Sequence, residues 1–139
     1  MNYKDYALKT LDELGIHQLF KGSEYILCGI SYLNSLDKYA APDVDTLYNY
    51  VADEYVLTPM SIENSMRNVI QRIWTAKENP TLMSAIFGPY NLEKRPCNME
   101  FIIMLYNYVH LHLKNSDTIR KLDLIWEKSK KEYTAKNHI

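Results

Sequence analysis

The chain has 139 residues, of which 47% are hydrophobic and 24% are charged, as is typical of one globular domain with a core that needs neither disulfides nor metal. No apolar run approaches the ~20 residues of a membrane-spanning helix, and the polar start excludes a signal peptide, so we expect a soluble cytoplasmic protein. The net charge of −1 is not typical of a nucleic-acid binder, but residues 1–57 hold 4 Lys/Arg against 9 Asp/Glu, whereas residues 58–139 hold 12 against 8.

Helical spacing of apolar residues dominates the chain, and the sequence predicts an all-α domain of six to seven helices. A first helix is expected to end at Gly15, a natural C-terminal stop. Residues 21–24 are expected to break the chain, with Ser23 as a candidate N-cap for the second helix. A third helix opens at Pro42 and Asp43.

Two helices joined by a very short turn are the most informative part of the chain. The turn at residues 56–58 leaves room only for a sharp corner. Thr58 is a favourable N-cap and Pro59 fits the first helical position, so the next helix starts there. This pattern is typical of a helix-turn-helix, whose second helix enters the DNA major groove. Two ordinary core helices that meet at a corner fit the same geometry.

The second of these helices, over residues 58–74, has one apolar and one polar side. Projected at 100° per residue, the apolar side holds Ile62, Met66, Val69, Ile70 and Ile73. The polar side holds Asn64, Arg67, Asn68, Gln71 and Thr75, with Ser61 and Glu63 on its margins. The sequence therefore predicts a helix that packs on the core and presents groups able to bond with base edges.

A short helix is expected to start at Asn79 and Pro80 and to stop at Gly88. The loop that follows carries Lys94 and Arg95.

Asn98 can cap a further helix that extends to Leu113. Beyond Asn115 the chain is charged, with an apolar stripe formed by Ile119, Leu122, Ile125 and Trp126. We therefore expect a domain over residues 1–115 and an additional C-terminal helix over 116–139, packed on the domain or on a protein partner.

Several separated motifs resemble one family in their order and spacing. They are Leu14-Gly15-Ile16 with Lys21-Gly22, then Ile62-Glu63, Arg67 and Trp74, then Leu82 with Ser84-Ala85-Ile86-Phe87-Gly88, and finally Pro96-Cys97-Asn98-Met99-Glu100-Phe101. Together they resemble the C-terminal DNA-binding domain of the sporulation initiation response regulator, stage zero sporulation protein A. The resemblance implies an all-helical domain of about six helices around a central helix-turn-helix.

The resemblance also implies double-stranded DNA as the partner, in the form of a short promoter element that family members often bind as a head-to-tail pair on tandem sites. We therefore expect a sequence-specific transcription regulator that can act as a homodimer. In the full regulator this domain follows a receiver domain, and nothing in this chain resembles one. If the chain is the whole gene product, phosphorylation of a receiver is not expected to switch it.

The departures from the family pattern fall on the reading helix. The family carries basic residues at the positions of Ser61 and Asn64 and a histidine at that of Asn68, whereas Glu63 and Arg67 are retained. The Arg67 guanidinium can donate two hydrogen bonds to guanine, and the Glu63 carboxylate can accept one from cytosine. The side-chain amides of Asn64 and Asn68 can each form two hydrogen bonds with adenine. We therefore expect weaker binding or a different target sequence.

Thr58, Lys94 and Arg95 are the candidate phosphate contacts.

Each candidate base or phosphate contact also has an ordinary structural interpretation. Arg67 can form a surface ion pair with Glu63, and the other groups can simply be solvated. A second hypothesis follows, in which the chain is a degenerate relative that does not read DNA and acts as a protein-interaction module.

No motif predicts an enzyme, a metal or a cofactor. There is no glycine-rich phosphate loop and no nucleophile elbow. His110 and His112 point away from each other on a helix, so they do not share a metal. Cys28 and Cys97 are isolated and fit reduced thiols, although the sequence alone leaves a disulfide between them open.

Overall fold

The structure, a computed structural model, describes residues 2–36 and 41–136, with the side chains of the last helix described as far as Lys131. The helices are α1 Tyr3–Glu13, α2 Lys21–Ser35, α3 Val44–Tyr55, α4 Pro59–Ala76, α5 Pro80–Phe87 and α6 Asn98–Lys136, with one 3-10 turn at Pro89–Asn91. These described ranges contain no strand, so the predicted all-α class is confirmed.

Three polar side chains cap the helices where the sequence predicts a start. Asp43 accepts from the backbone N–H of Thr46 at the start of α3, and Thr58 accepts from that of Ser61 at 3.2 Å at the start of α4. Asn79 accepts from the N–H of Leu82 at 3.1 Å at the start of α5. Each cap satisfies one amide that has no partner within the first helical turn.

The prediction of a break at residues 21–24 is wrong, because α2 begins at Lys21 and contains this segment. Ser23 does not cap the helix; it is fully buried, and its hydroxyl has no hydrogen-bond partner among the described groups. Gly22 lies directly against α4, since a Cβ atom there would come within 2.1 Å of the backbone oxygen of Ser65. The glycine therefore permits close contact between two helices.

Helix α2 lies at the centre of the domain, where it packs against α1, α3, α4 and α6. At one end of the core, Trp74, Phe87 and Phe101 form an aromatic cluster with ring centroids 4.9 to 6.0 Å apart. The indole N–H of Trp74 donates to the backbone oxygen of Asn91 at 2.6 Å, so its polar atom is satisfied. The cluster fixes the C-terminal end of α4 to α5 and α6.

The last helix differs from the prediction. Asn98 is its first residue, not the residue before it, and α6 then continues to Lys136 without a break at residue 115. As far as residue 136, the segment expected as a separate C-terminal helix over 116–139 is therefore the far half of α6, and residues 137–139 lie outside the described residues. Every residue from Lys114 to Lys131 is exposed, so this half projects beyond the core. Of the helices that the structure describes, none has a stretch long and apolar enough to cross a membrane.

Candidate DNA-binding surface

The corner between α3 and α4 is built by local backbone geometry. Val56 has the left-handed φ of 55°, and the N–H of Leu57 donates to the carbonyl of Ala52 at 2.9 Å. These features end α3 and turn the chain within residues 56–58, as the sequence predicts. Leu47 and Val51 are fully buried beside the corner, so α3 holds the start of α4 against the core.

Helix α4 keeps its polar side in solvent. Its apolar side is buried through Ile62, Met66, Val69, Ile70, Ile73 and Trp74. Its outward side exposes Ser61, Asn64, Asn68, Gln71 and Thr75. The projecting half of α6 does not cover this side, because all five outward residues are exposed. The predicted amphipathic helix is confirmed, and its polar side is accessible to a large partner.

Three of the predicted base-reading residues form one hydrogen-bonded group. The guanidinium of Arg67 donates to a carboxylate oxygen of Glu63 at 2.5 Å and to the side-chain oxygen of Asn64 at 3.1 Å. The Arg67 and Glu63 side chains are 44% and 40% exposed. Since an arginine has five donors, Arg67 keeps three N–H groups beyond these two bonds. The group is therefore pre-oriented and still able to donate.

Asn98, which is only 7% exposed, fixes this part of α4. Its side-chain amide donates to the backbone oxygen of Glu63 at 3.0 Å and to the phenol oxygen of Tyr48 at 3.2 Å. Burial raises the pKa of the Tyr48 phenol above its ordinary value of 10.0, so the phenol stays neutral as an acceptor. One buried residue thus joins the starts of α4 and α6 to α3.

Two grooves flank the outward side of α4. The first, of about 670 Å³, is lined by Glu63, Arg67 and Arg95 among others, so Arg95 joins the predicted base-reading pair. Lys94 is exposed and does not line this groove. The hydroxyl of Thr58 already caps α4 and donates to the hydroxyl of Ser61 at 2.9 Å.

The second groove, of about 700 Å³, lies between the α1–α2 connection and the far half of α4. Asn68 lines it together with Gln71 and Arg72, whereas Glu63 and Arg67 line the first groove. The Arg72 guanidinium lies 4.4 Å from the ring centroid of Phe20, an arrangement typical of a cation–π contact. The sequence did not single out this contact, which requires residues 52 positions apart to meet.

The family model described as "Sporulation initiation factor Spo0A C terminal" matches residues 7–109. The chain belongs to this family. The match confirms the resemblance found in the sequence, and it runs from α1 into the buried half of α6. It includes the whole α3–α4 corner and both grooves, and the exposed half of α6 lies beyond it.

Membership gives the chain a coarse function, because Spo0A C-terminal domains form a DNA-binding regulatory family and not a class of enzymes. Among residues whose side chains are described, no group of three His, Cys, Asp or Glu is placed to hold a metal ion. Cys28 is buried and Cys97 is exposed, and both are free thiols, so the alternative of a disulfide between them is wrong.

Sequence reasoning missed Asn98 and Gly22 as the residues that position α4 in this Spo0A-type domain. A glycine inside a run of helical spacing is a signal for close backbone packing, and Gly22 follows that rule. Asn98 gave no comparable signal, because its bonds reach residues 35 and 50 positions away.

An ionic contact at the edge of the second groove gives a pH-dependent prediction. The His17 ring lies 3.0 Å from the Asp12 carboxylate and 3.4 Å from that of Glu78. Hydrogen bonds with Asp12 and then Glu78 raise the pKa of His17 above its ordinary value of 6.5. Protonated His17 therefore forms ionic contacts with both Asp12, near the end of α1, and Glu78, just after the end of α4.

The raised pKa means that the stabilisation is fully present below about pH 6.5 and is lost as the pH rises through the folded value. We expect His17→Gln to lower the free energy of unfolding more at about pH 5.5 than at about pH 8. Urea unfolding of wild type and variant at both pH values measures this difference. Asp12→Asn, which removes one of the two carboxylates, should weaken the same pH dependence. If His17→Gln lowered the free energy of unfolding equally at both pH values, the prediction would be contradicted.

Proposed function

We propose that this chain is a sequence-specific regulator of transcription that binds double-stranded DNA by placing the outward side of α4 in the major groove. The observation that supports this most is the exposed polar side of α4 in a chain of a DNA-binding family. Ser61, Glu63, Asn64, Arg67 and Asn68 are proposed to face the base edges. The proposal also places the protein in the cytoplasm, where the DNA is.

Arg67 is proposed as the main base contact. Its ion pair with Glu63 joins two half-exposed side chains at i and i+4, where such a pair contributes roughly 0.2–0.5 kcal/mol. A bidentate contact with guanine contributes roughly 1–3 kcal/mol of discrimination. Because the second quantity is larger, guanine can replace Glu63 as a partner of Arg67 at a net gain. The freed carboxylate oxygen of Glu63 then accepts from cytosine.

The cations around α4 are proposed to contact phosphates. Arg95 lines the first groove beside Arg67, and Arg72 lines the second. Thr58 and Lys94 lie at the start of α4 and in the loop before α6, and we propose them as weaker contacts. With so few cations, binding should be weak for random DNA and should fall steeply with salt.

The three short neutral residues on α4 are proposed to change the target sequence. Ser61 lies beside the N-terminus of α4, and Asn64 and Asn68 are exposed further along the helix, before and after Arg67 in the chain. Both asparagine amides suit adenine, in contrast to the cationic and histidine side chains that the family presents at these positions. We therefore expect a target DNA sequence that is richer in adenine than the targets of family members with basic residues at these positions.

Random-site selection on duplex DNA at moderate salt tests the proposed function. We expect enrichment of one short motif that contains a G·C pair and at least one adjacent A·T pair, read by Arg67 and the asparagines. The folded state is checked by circular dichroism in the same buffer. A folded protein that enriches no motif even at low salt would contradict the proposal.

One observation favours a second function. Half of α6 is exposed and carries an apolar stripe outside the part that matches the DNA-binding family. A protein-interaction module that does not read DNA would need such a surface. The selection experiment separates the two functions, since an interaction module would enrich no DNA.

A further inference from the structure

Met60, the second residue of α4, has an apolar side chain that the core does not use. It is 70% exposed, whereas Met66 on the same helix is fully buried. The hydroxyl of Thr58 accepts from the backbone N–H of Ser61 at 3.2 Å, so the first turn that carries Met60 is held in place. Met60 is therefore an exposed apolar group on a fixed backbone.

Met60 lies on the same side of α4 as the hydrogen-bonded group of Glu63, Asn64 and Arg67. At 100° per residue, all three of these residues lie within about 60° of it around the helix axis. Met60 also lines the first groove together with Glu63, Arg67 and Arg95. In a helix-turn-helix the N-terminal residues of the second helix contact base edges. The position of Met60 is thus part of the proposed reading side.

The chemistry of the Met60 side chain limits what it can recognise. Methionine has no N–H or O–H donor in its side chain, and its thioether sulfur is only a weak acceptor, so it suits neither a phosphate nor the polar atoms of a base edge. The 5-methyl group of thymine is the apolar group that base pairs present in the major groove. A flexible, polarisable thioether packs well against such a group. A thymine methyl group is therefore the part of duplex DNA that fits Met60.

We propose that Met60 is a specificity-determining residue that contacts the methyl group of a thymine in the target DNA. The contact rests on the proposed function, since it requires α4 to lie in the major groove. From Met60 to Arg67 the helix rises about 10 Å along its axis, which equals about three base-pair steps of DNA. The thymine is therefore expected within about three base pairs of the G·C pair that Arg67 reads.

A protein partner fits this position less well than a base edge does. The residues one, three and four positions after Met60 are Ser61, Glu63 and Asn64, so its neighbours along α4 are polar. The core of a protein–protein interface is depleted in charged residues and more apolar than this. A single apolar side chain among hydrogen-bonding groups instead matches a base pair, where one methyl group lies among donors and acceptors.

Replacing thymine by uracil tests this contact, because the change removes the methyl group and keeps the hydrogen-bonding atoms of the base. Each thymine of the motif obtained by random-site selection is replaced singly, and fluorescence anisotropy measures the affinity. For wild type, we expect uracil at one position within this distance of the G·C pair to weaken binding roughly fourfold, the effect of burying a single carbon group. Met60→Ala should bind the thymine duplex more weakly than wild type does and should lose no further affinity with uracil.

Met60→Leu and Leu124→Ala are the matched controls, and circular dichroism checks that each variant is folded. Leucine keeps an apolar side chain of similar size, so Met60→Leu should retain the loss of affinity with uracil. Leu124 is 65% exposed and lies on α6 outside the part that matches the DNA-binding family. Leu124→Ala therefore removes a comparably exposed side chain and should bind both duplexes as wild type does.

Three results would each overturn the proposal: a selected motif with no thymine within this distance, equal affinity of wild type for the thymine and uracil duplexes, or an equal loss with uracil in wild type and Met60→Ala. In all three the protein still binds a selected motif, so the proposed function stands. A folded protein that selects no motif would overturn both.

Discussion

Arg67→Ala is expected to weaken binding to the selected DNA motif roughly 5- to 150-fold, the equivalent of about 1–3 kcal/mol, while binding to random duplex falls much less. The reason is that a base contact carries sequence information, whereas a phosphate contact does not. The selected motif should also relax at the G·C position that Arg67 reads. Fluorescence anisotropy with selected and scrambled duplexes measures both affinities.

Two control variants separate the effect of the bidentate geometry of Arg67 from the effect of its positive charge. Arg67→Lys keeps the charge and loses the bidentate geometry, so discrimination should fall while the salt dependence is kept. Arg72→Ala removes a cation from the same helix, one that stacks on Phe20, and should weaken all duplexes about equally. If Arg67→Ala weakened selected and scrambled DNA by the same factor, the base-reading role of Arg67 would be wrong.

The helix-turn-helix was predictable from sequence because its causes are local. The cap at Thr58 and the proline after it act within one helical turn, and they fix where α4 begins. The apolar positions of α4 repeat at helical spacing, so the side that is buried follows from the sequence. The outward placement of Asn64 and Asn68 follows from the same periodicity.

The features that depend on distant residues were not predictable in this way. Ser23 resembled a cap because serine favours that position, but packing of Gly22 against α4 places the segment inside α2. The boundary after Asn115 was predicted because the chain beyond it is charged, yet α6 continues through this position as one helix. The family resemblance supplied the candidate base-reading residues, whereas their hydrogen-bonded grouping is visible only in the structure.

Gly22→Ala is expected to have the largest effect on stability. A Cβ atom at this position would lie 2.1 Å from the backbone oxygen of Ser65 and 2.7 Å from a methyl carbon of Val69. The backbone oxygen belongs to the middle of α4 and cannot turn away, so α2 and α4 must separate. Overpacking of this kind costs roughly 1–3 kcal/mol in the free energy of unfolding. Urea unfolding measures the loss.

Gly29→Ala is the matched control, because Gly29 lies on the same helix but has room for a methyl group. The nearest side-chain atom to its Cβ would be the Ile102 methyl at 3.5 Å, an ordinary contact. Replacing a helical glycine by alanine there should increase the free energy of unfolding by about 1 kcal/mol. The two substitutions are thus expected to change the free energy of unfolding in opposite directions.

Because α4 carries the proposed reading side, the folded Gly22→Ala variant should also bind the selected motif more weakly than wild type, whereas Gly29→Ala should not. Equal effects of the two variants would contradict the close contact of α2 with α4.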